Sequence, residues 1–246
     1  MINEKDFVYE IEPDFSELNE YGYLKPYAYQ RLFGKIAESH LNRINLNVDT
    51  TMKYGLSWVL ISISLEIVKP VKGCIKLFAQ TWHSQKKGPF FRRELIFKDE
   101  KGNLMFHGST FSVLLDLETR TIFRKKETPF YIGAPIQEFT IDASPSLKFD
   151  IALKEIDKRK VYNSFLDCLG HVNNTRYGEF AYDAFTDDEK ENLHKIRRYD
   201  VFFLSELRDK DVFSVHRANI DNKTIIRGVN ETKGETSFDV LIEFKK

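Results

Sequence analysis

The sequence predicts an α+β protein in which one unit occurs twice, each an antiparallel sheet wrapped around one central helix. Two observations predict it. An amphipathic helical stretch is followed by a run of short alternating segments with turn residues between them, first near residues 26–115 and again near 172–244. A stretch interrupted by Pro and Gly separates the two runs. The 246 residues suffice for one large domain or two modest ones, and 42% hydrophobic against 30% charged residues marks a folded chain. The division that follows is 1–126 for the first unit, 127–150 for a linker and 151–246 for the second unit.

In the first unit, Phe7, Tyr9 and Ile11 alternate as a short strand. Pro26 suits the first turn of a helix, since its missing N–H has no intrahelical partner to lose there. Tyr29, Leu32, Phe33, Ile36, Ala37, Leu41 and Ile44 then recur at helical spacing. Val59, Ile61, Ile63, Leu65 and Ile67 alternate with more polar positions as a half-buried strand. Pro70 and Gly73 turn the chain. Further strands run from Ile75 towards Trp82, from about Phe91 to Phe97 and from about Met105 to Leu115, with a hairpin turn at Asp99–Asn103.

Pro129, Gly133, Pro135 and Pro145 prevent any long element in the linker, which is read as crossing the protein surface. The second unit opens with a strand near Ile151–Val161. A helix over about 172–185 follows, then strands at Val201–Ser205, Val212–Ala218, Thr224–Val229 and Ser237–Phe244. Glu231–Glu235 is the counterpart of the earlier hairpin turn.

The chemistry concentrates in Asp167-Cys168-Leu169-Gly170-His171-Val172-Asn173-Asn174. Tyr177, Phe180, Ala181, Ala184 and Phe185 follow at helical spacing. Extending that face backward puts Asn173 and Asn174 on or beside the apolar seam, where buried amides need hydrogen-bond partners. The helix start also offers free N–H groups and a positive dipole end. A carboxylate, an imidazole and amides thus meet where negative charge is stabilised, a setting suited to ester or thioester hydrolysis. Taken alone, Asp167 reads more readily as a turn or cap residue and His171 as a satisfied core histidine, and the two asparagines beside them bring the readings level. The corresponding stretch of the first unit, about Tyr21–Ala28, has neither Asp nor His, so the first unit reads as scaffold or pocket wall.

Net charge is zero, so no global field draws nucleic acid or membrane. Basic clusters at Lys86-Lys87, Arg92-Arg93, Arg124-Lys125-Lys126 and Arg197-Arg198 read as solvated faces that, if two or more converge near the site, could dock an acidic partner. Cys74 and Cys168 belong to no ligand spacing or CxxC pair, which points to a reduced, cytoplasmic protein. The first residues lack the pattern of a signal peptide, and no apolar run reaches membrane-spanning length. The six His and the acids show no metal-ligand spacing, so neither metal nor cofactor is expected.

Four segments in order resemble the acyl-acyl carrier protein (acyl-ACP) thioesterase family of bacteria and plastids. They are Gly55-Leu56-Ser57-Trp58-Val59-Leu60, Thr81-Trp82, Leu115-Asp116-Leu117-Glu118-Thr119-Arg120, and Gly170-His171-Val172-Asn173-Asn174 with Tyr177. The resemblance covers about residues 21–244. It implies two tandem hot-dog units and hydrolysis of the thioester between a fatty acyl chain and acyl carrier protein, with no integral membrane association. It places the family's acidic and imidazole positions on Asp167 and His171, and a further acid, on the strand after the helix, on Glu206. Asn173, Asn174, Tyr177, Gly170 and Trp58 are the expected supporting or substrate-binding residues. The sequence departs from the family at Leu169, where an Asn is usual, and at Phe165, where an acid is often found.

These residues imply water attack with Glu206 or His171 as base, and Asp167 orienting His171 or the water. Backbone N–H groups of Gly170 to Val172 are expected to face the oxyanion. Phe33, Ile36, Trp58 and Leu60 are candidate walls of an acyl tunnel. Two alternatives stand beside this reading: an acyl-CoA thioesterase, and an acyl-binding hot-dog protein without catalysis. Tandem units reproduce a hot-dog dimer within one chain, so either a monomer or a homodimer fits.

Overall fold

The computed structural model describes residues 3–245. After a short strand β1 (Tyr9–Ile11), Pro26 opens helix α1 (Pro26–Arg43). Leu32, Phe33, Ile36 and Tyr29 fall on its buried face, while Lys35 and Glu38 face solvent. A five-residue helix α2 (Val48–Met52), not expected from periodicity, is capped by the Asn47 side chain. Strands β2 (Leu56–Ile67), β3 (Leu77–Lys87), β4 (Phe90–Lys98) and β5 (Leu104–Asp116) complete the first half. The second half holds β6 (Lys154–Lys160), α3 (Asn174–Tyr182), α4 (Asp187–Glu191), β7 (Ile196–Phe203), β8 (Val212–Ile220), β9 (Lys223–Asn230) and β10 (Glu235–Phe244).

Helix α3 is shorter than the 172–185 read from spacing. Asn173 is its N-cap, and its side chain accepts from the Thr175 N–H, so Val172 and Asn173 stay outside the helix. At the other end Thr186 and Glu189 form a reciprocal capping box that starts α4.

The strands form one ten-stranded sheet in the order β1-β3-β4-β5-β2-β7-β10-β9-β8-β6. The two halves are therefore one continuous surface rather than two sheets side by side. Antiparallel pairing of β2 with β7, from Ser62 opposite Phe202 to Glu66 opposite Arg198, makes the join. As a central strand, β2 is buried on both faces from Ser62 to Leu65, where alternation predicts a half-buried strand. The sheet wraps α1 and α3, which pack against each other. Gly178 permits that approach: a Cβ there would lie 2.8 Å from both Gln30 Oε1 and the Tyr199 hydroxyl. Stacked rings fill the interior, with Phe97 on Phe106 at 4.2 Å and Tyr177 on Phe238 at 5.1 Å.

The opposite face of the sheet is not bare. The segment joining the halves crosses it, and a fully buried carboxylate fastens that segment down. Glu94 accepts from Arg92 Nε at 2.6 Å, Ser84 Oγ at 2.7 Å and Ser109 Oγ at 2.5 Å. It also accepts from the Thr140 N–H at 3.0 Å and hydroxyl at 2.7 Å. Further along, Ser62 donates to Ser144 O and Arg198 to Asp142 O. The bond to Ser144 gives the buried Ser62 hydroxyl its partner on that face. Replacing Glu94 by Ala strands the buried Arg92 guanidinium, so urea unfolding should show a loss of about 3–5 kcal/mol.

Candidate functional site

The turn before α3 closes on itself. The Gly170 N–H donates to Asp167 O at 3.0 Å, the Asp167 N–H to His171 O at 2.9 Å, and the Leu169 N–H to Asp167 Oδ1 at 2.9 Å. Gly170 sits at φ +76°, in the left-handed region where a side chain is strained. The turn is then fixed to the segment after β7. The Val172 N–H donates to Leu207 O at 2.8 Å, and the Leu207 N–H donates to the Tyr177 hydroxyl at 3.0 Å. Burial pushes the Tyr177 phenol up to about 12, so it keeps its proton at neutral pH.

This clamp sets His171 beside Arg208 and brings Glu206 to the imidazole: His171 Nε2 lies 3.6 Å from Glu206 Oε2. Glu206 stands beyond the end of β7, in a loop rather than on a strand. Two arginines share Oε2 with the imidazole. Arg208 donates from Nε at 3.2 Å and Nη2 at 2.8 Å, and Arg120, from the first half, reaches 3.7 Å. Burial pushes the Glu206 carboxyl up, but the Arg208 hydrogen bond and the charges of His171, Arg208 and Arg120 outweigh it, holding the group below the usual range.

Several expectations change. Asp167 makes no hydrogen bond to the imidazole among the described residues. Its carboxylate closes the turn, and it meets His171 through the backbone. Asn173 and Asn174 are exposed, because the helix starts at Asn174 and its apolar face begins only with Tyr177. Asn173 caps the helix, and the Asn174 carbonyl accepts from Gln30 Nε2 at 2.9 Å. The Gly170 and Val172 N–H groups are already taken, so the turn does not present the expected row of oxyanion donors. Of the basic pairs, Arg92 and Arg93 are not a solvated face: Arg92 is held by Glu94, and Arg93 lies 3.4 Å from Glu4. Arg197 and Arg198 are paired with Glu66, Glu243 and Asp200.

The first half repeats the clamp bond for bond. Leu24 N–H donates to Val71 O at 3.0 Å, and Val71 N–H to the Tyr29 hydroxyl at 3.0 Å. Gly22, at φ +77°, occupies the place of Gly170. The counterpart of 167–174 is thus 19–26, two residues earlier than the sequence reading of 21–28. Asn19 stands at the place of Asp167, Tyr23 at that of His171 and Pro70 at that of Glu206. The first half keeps the frame without the ionisable groups.

Between α1 and the sheet of the first half lies a cavity of about 130 Å³, lined by Phe33, Leu41, Trp58, Leu60, Phe91 and Ile132 among others. Trp58 is fixed there by a bond from its Nε1 to Leu46 O at 3.1 Å and by an edge contact with Phe91 at 5.0 Å. Phe33, Trp58 and Leu60 therefore line it, whereas Ile36 is not among its lining residues. Gly34, Leu60 and Ile63 are shared with a shallower opening that Asn173, Asn174 and Thr175 line, so the start of α3 stands at the cavity's approach.

The family model described as "Acyl-ACP thioesterase N-terminal domain" matches residues 6–128, half of the chain. The chain belongs to the acyl-ACP thioesterase family. It is a thioester hydrolase with the α+β hot-dog fold, and its reaction is hydrolysis of fatty acyl-ACP thioesters. An acyl-ACP thioesterase from Bacteroides thetaiotaomicron superposes with a TM-score of 0.82 at 18% identity, over 99% of this chain and 100% of the other. The 12:0-ACP thioesterase of Umbellularia californica gives 0.79 at 15% identity, over 97% and 96% of the two chains. At such identities these likenesses speak to the fold. No curated protein gives a match.

In this acyl-ACP thioesterase the matched segment supplies the cavity lining except Ile132, together with Trp58 and Arg120, while Asp167, His171 and Glu206 lie outside it. Neither Arg208, two residues after Glu206, nor Arg120, the last residue of a segment that carries the resemblance, was expected from the sequence to touch this carboxylate. One group spacing does not reveal is Glu155, His216 and Glu231, gathered within 4.8 Å from β6, β8 and the turn after β9. Glu231 there is engaged by Ser214 and Lys158. No helix among the described residues is long and apolar enough to cross a membrane.

Tyr177→Phe removes the acceptor of the Leu207 N–H. A stability loss of about 1–3 kcal/mol is expected by denaturant titration, with kcat falling because the loop carrying Glu206 loosens. Tyr29→Phe should cost similar stability and leave kcat near that of the unaltered enzyme.

Proposed function

We propose that the His171–Glu206 pair carries out the thioester hydrolysis, with the acyl chain lying in the cavity of the first half. The observation that carries this reading is the 3.6 Å approach of the imidazole to a carboxylate that two arginines hold. A carboxylate held low is a poor proton acceptor, so the base is His171, and Glu206 is the fixed anion that stabilises the imidazolium. His171 takes a proton from water as the water oxygen bonds to the thioester carbon. Collapse of the tetrahedral intermediate breaks the C–S bond, and the imidazolium returns the proton to the leaving sulfur. Fatty acid and free thiol result. Arg120, 55% exposed at its side chain, supplies positive charge beside the reacting carbonyl. Asp167 acts as a positioning residue through the turn that it closes.

Arg120, Arg208 and Lys233, which donates to Glu206 O at 3.3 Å, surround the same loop and form the face for an acidic carrier protein. One chain supplies both halves of the sheet, which supports a monomer as the working unit.

Single-turnover hydrolysis of acyl-ACP tests the assignment. His171→Ala and Glu206→Gln should each lower the rate ~10²–10⁴-fold; full rates in both would place the chemistry elsewhere. Bound substrate without turnover in the unaltered protein would favour the acyl-binding alternative. In the same assay Lys233→Glu should raise KM for carrier-bound substrate and leave that for a small acyl thioester unchanged; faster hydrolysis of acyl-CoA than of acyl-ACP would favour the CoA reading.

Arg208 gives a pH test. The Glu206 carboxylate must be ionised, and Arg208 holds its pKa down. Arg208→Leu leaves burial, which raises it, less opposed. It also removes a cation beside both reacting groups, so the acidic limb of kcat/KM should move to higher pH in the variant, and an unmoved limb would count against the His171–Glu206 pair as the reacting groups.

A further inference from the structure

Ile132 stands where three hollows of the first half meet. It lines the cavity between α1 and the sheet. It lines a trough with His83, Phe91 and the residues after Thr128. It also lines a groove of about 500 Å³ between the end of α1 and residues 131–136. His83 and Phe91 also separate the cavity from the trough, and Leu46 also separates it from the groove, but Ile132 alone is common to all three. Its side chain packs in a satellite cluster with Trp58, Phe91, Leu56 and Leu114.

The backbone around it is held loosely. Among the described residues, the N–H groups from Tyr131 to Ala134 make no hydrogen bond, and the next tie is Ile136 N–H to His83 O at 2.9 Å. Tyr131 is 80% exposed, so the inward anchor of this strap is Ile132. The cavity that it closes, about 130 Å³, is comparable to the ~150 Å³ that accepts one benzene. A longer chain must pass the strap.

We propose that Ile132 is the end stop of the acyl cavity and sets the longest acyl chain that the enzyme accommodates. The proposal rests on the reading above that the acyl chain occupies this cavity. Replacing Ile132 by Ala removes its γ and δ carbons and joins the cavity to the groove. Replacing it by Trp fills the junction. Ile132 is only half-buried and lies outside the main core, so both variants keep the fold.

The experiment reads a graded series of saturated chains twice. One reading is hydrolysis of the acyl carrier substrates. The other is displacement of a fluorescent fatty acid by free fatty acids, in which catalysis has no part. The unaltered enzyme should have an optimum length. Ile132→Ala should move it to longer chains, with about fourfold tighter binding per added methylene until the groove is filled. Ile132→Trp should move it to shorter ones. An unchanged length profile in both variants, with His171-dependent hydrolysis intact, overturns the end stop and leaves the reaction standing. An equal loss at every length makes Ile132 a packing residue and also overturns it. Binding that shifts as expected with no hydrolysis in any variant upholds the stop and overturns the proposed reaction.

Discussion

Leu207 is gripped by the polypeptide that flanks the turn: its carbonyl receives the Val172 N–H, and its own N–H reaches the Tyr177 hydroxyl. Both partners are buried, so water does not compete for these bonds. Everything chemical in the molecule is referred to this grip. Residue 171 precedes one gripped position and residue 206 precedes the other, so an imidazole and a carboxylate meet without a direct bond of their own having to assemble them. Arg208 then locks the carboxylate, and Arg120 arrives from the other half. A site placed by buried backbone hydrogen bonds is more precise than one placed by flexible side chains.

The same grip at Leu24, Val71 and Tyr29 shows that the frame and the chemistry are separable. In the first half the frame serves only to seat α1 against the sheet. Freed of catalytic groups, that half has room for a cavity along the helix. In the second half Phe180 packs against Phe165, Phe213 and Tyr177. Division of labour between the halves thus follows from what each helix packs against.

Strand and helix order were legible because periodicity reports which face of each element is buried, and Pro26 and the paired hairpin turns punctuated it. What was not legible came from other elements. The alternation of β2 could not show that Glu94 and the crossing segment bury its second face. Helical spacing carried backward from Tyr177 put Asn173 and Asn174 on the seam, but a cap residue ends the spacing where it sits. Asp167, Gly170, His171 and Tyr177 were found as a local group since one turn holds them. Glu206 was reached through resemblance, and its half-buried loop setting was not foreseen. Arg120 illustrates the limit: it closes a segment that carries the resemblance, but no local pattern shows its contact across the two halves.

The two ends of the sheet differ from its middle. At one end β1 contributes only three residues, and at the other β6 reads Lys-Glu-Ile-Asp-Lys-Arg-Lys, charged at all but one position. An open row of peptide groups is a template on which a stranger's strand can grow, and brevity or charge is what discourages it. By fusing its halves through β2 and β7 the chain turns what would be two inner margins into interior, and leaves exposed only the margins least able to recruit. The same fusion that makes one half answerable to the other for its site thereby guards the whole against edge-to-edge aggregation.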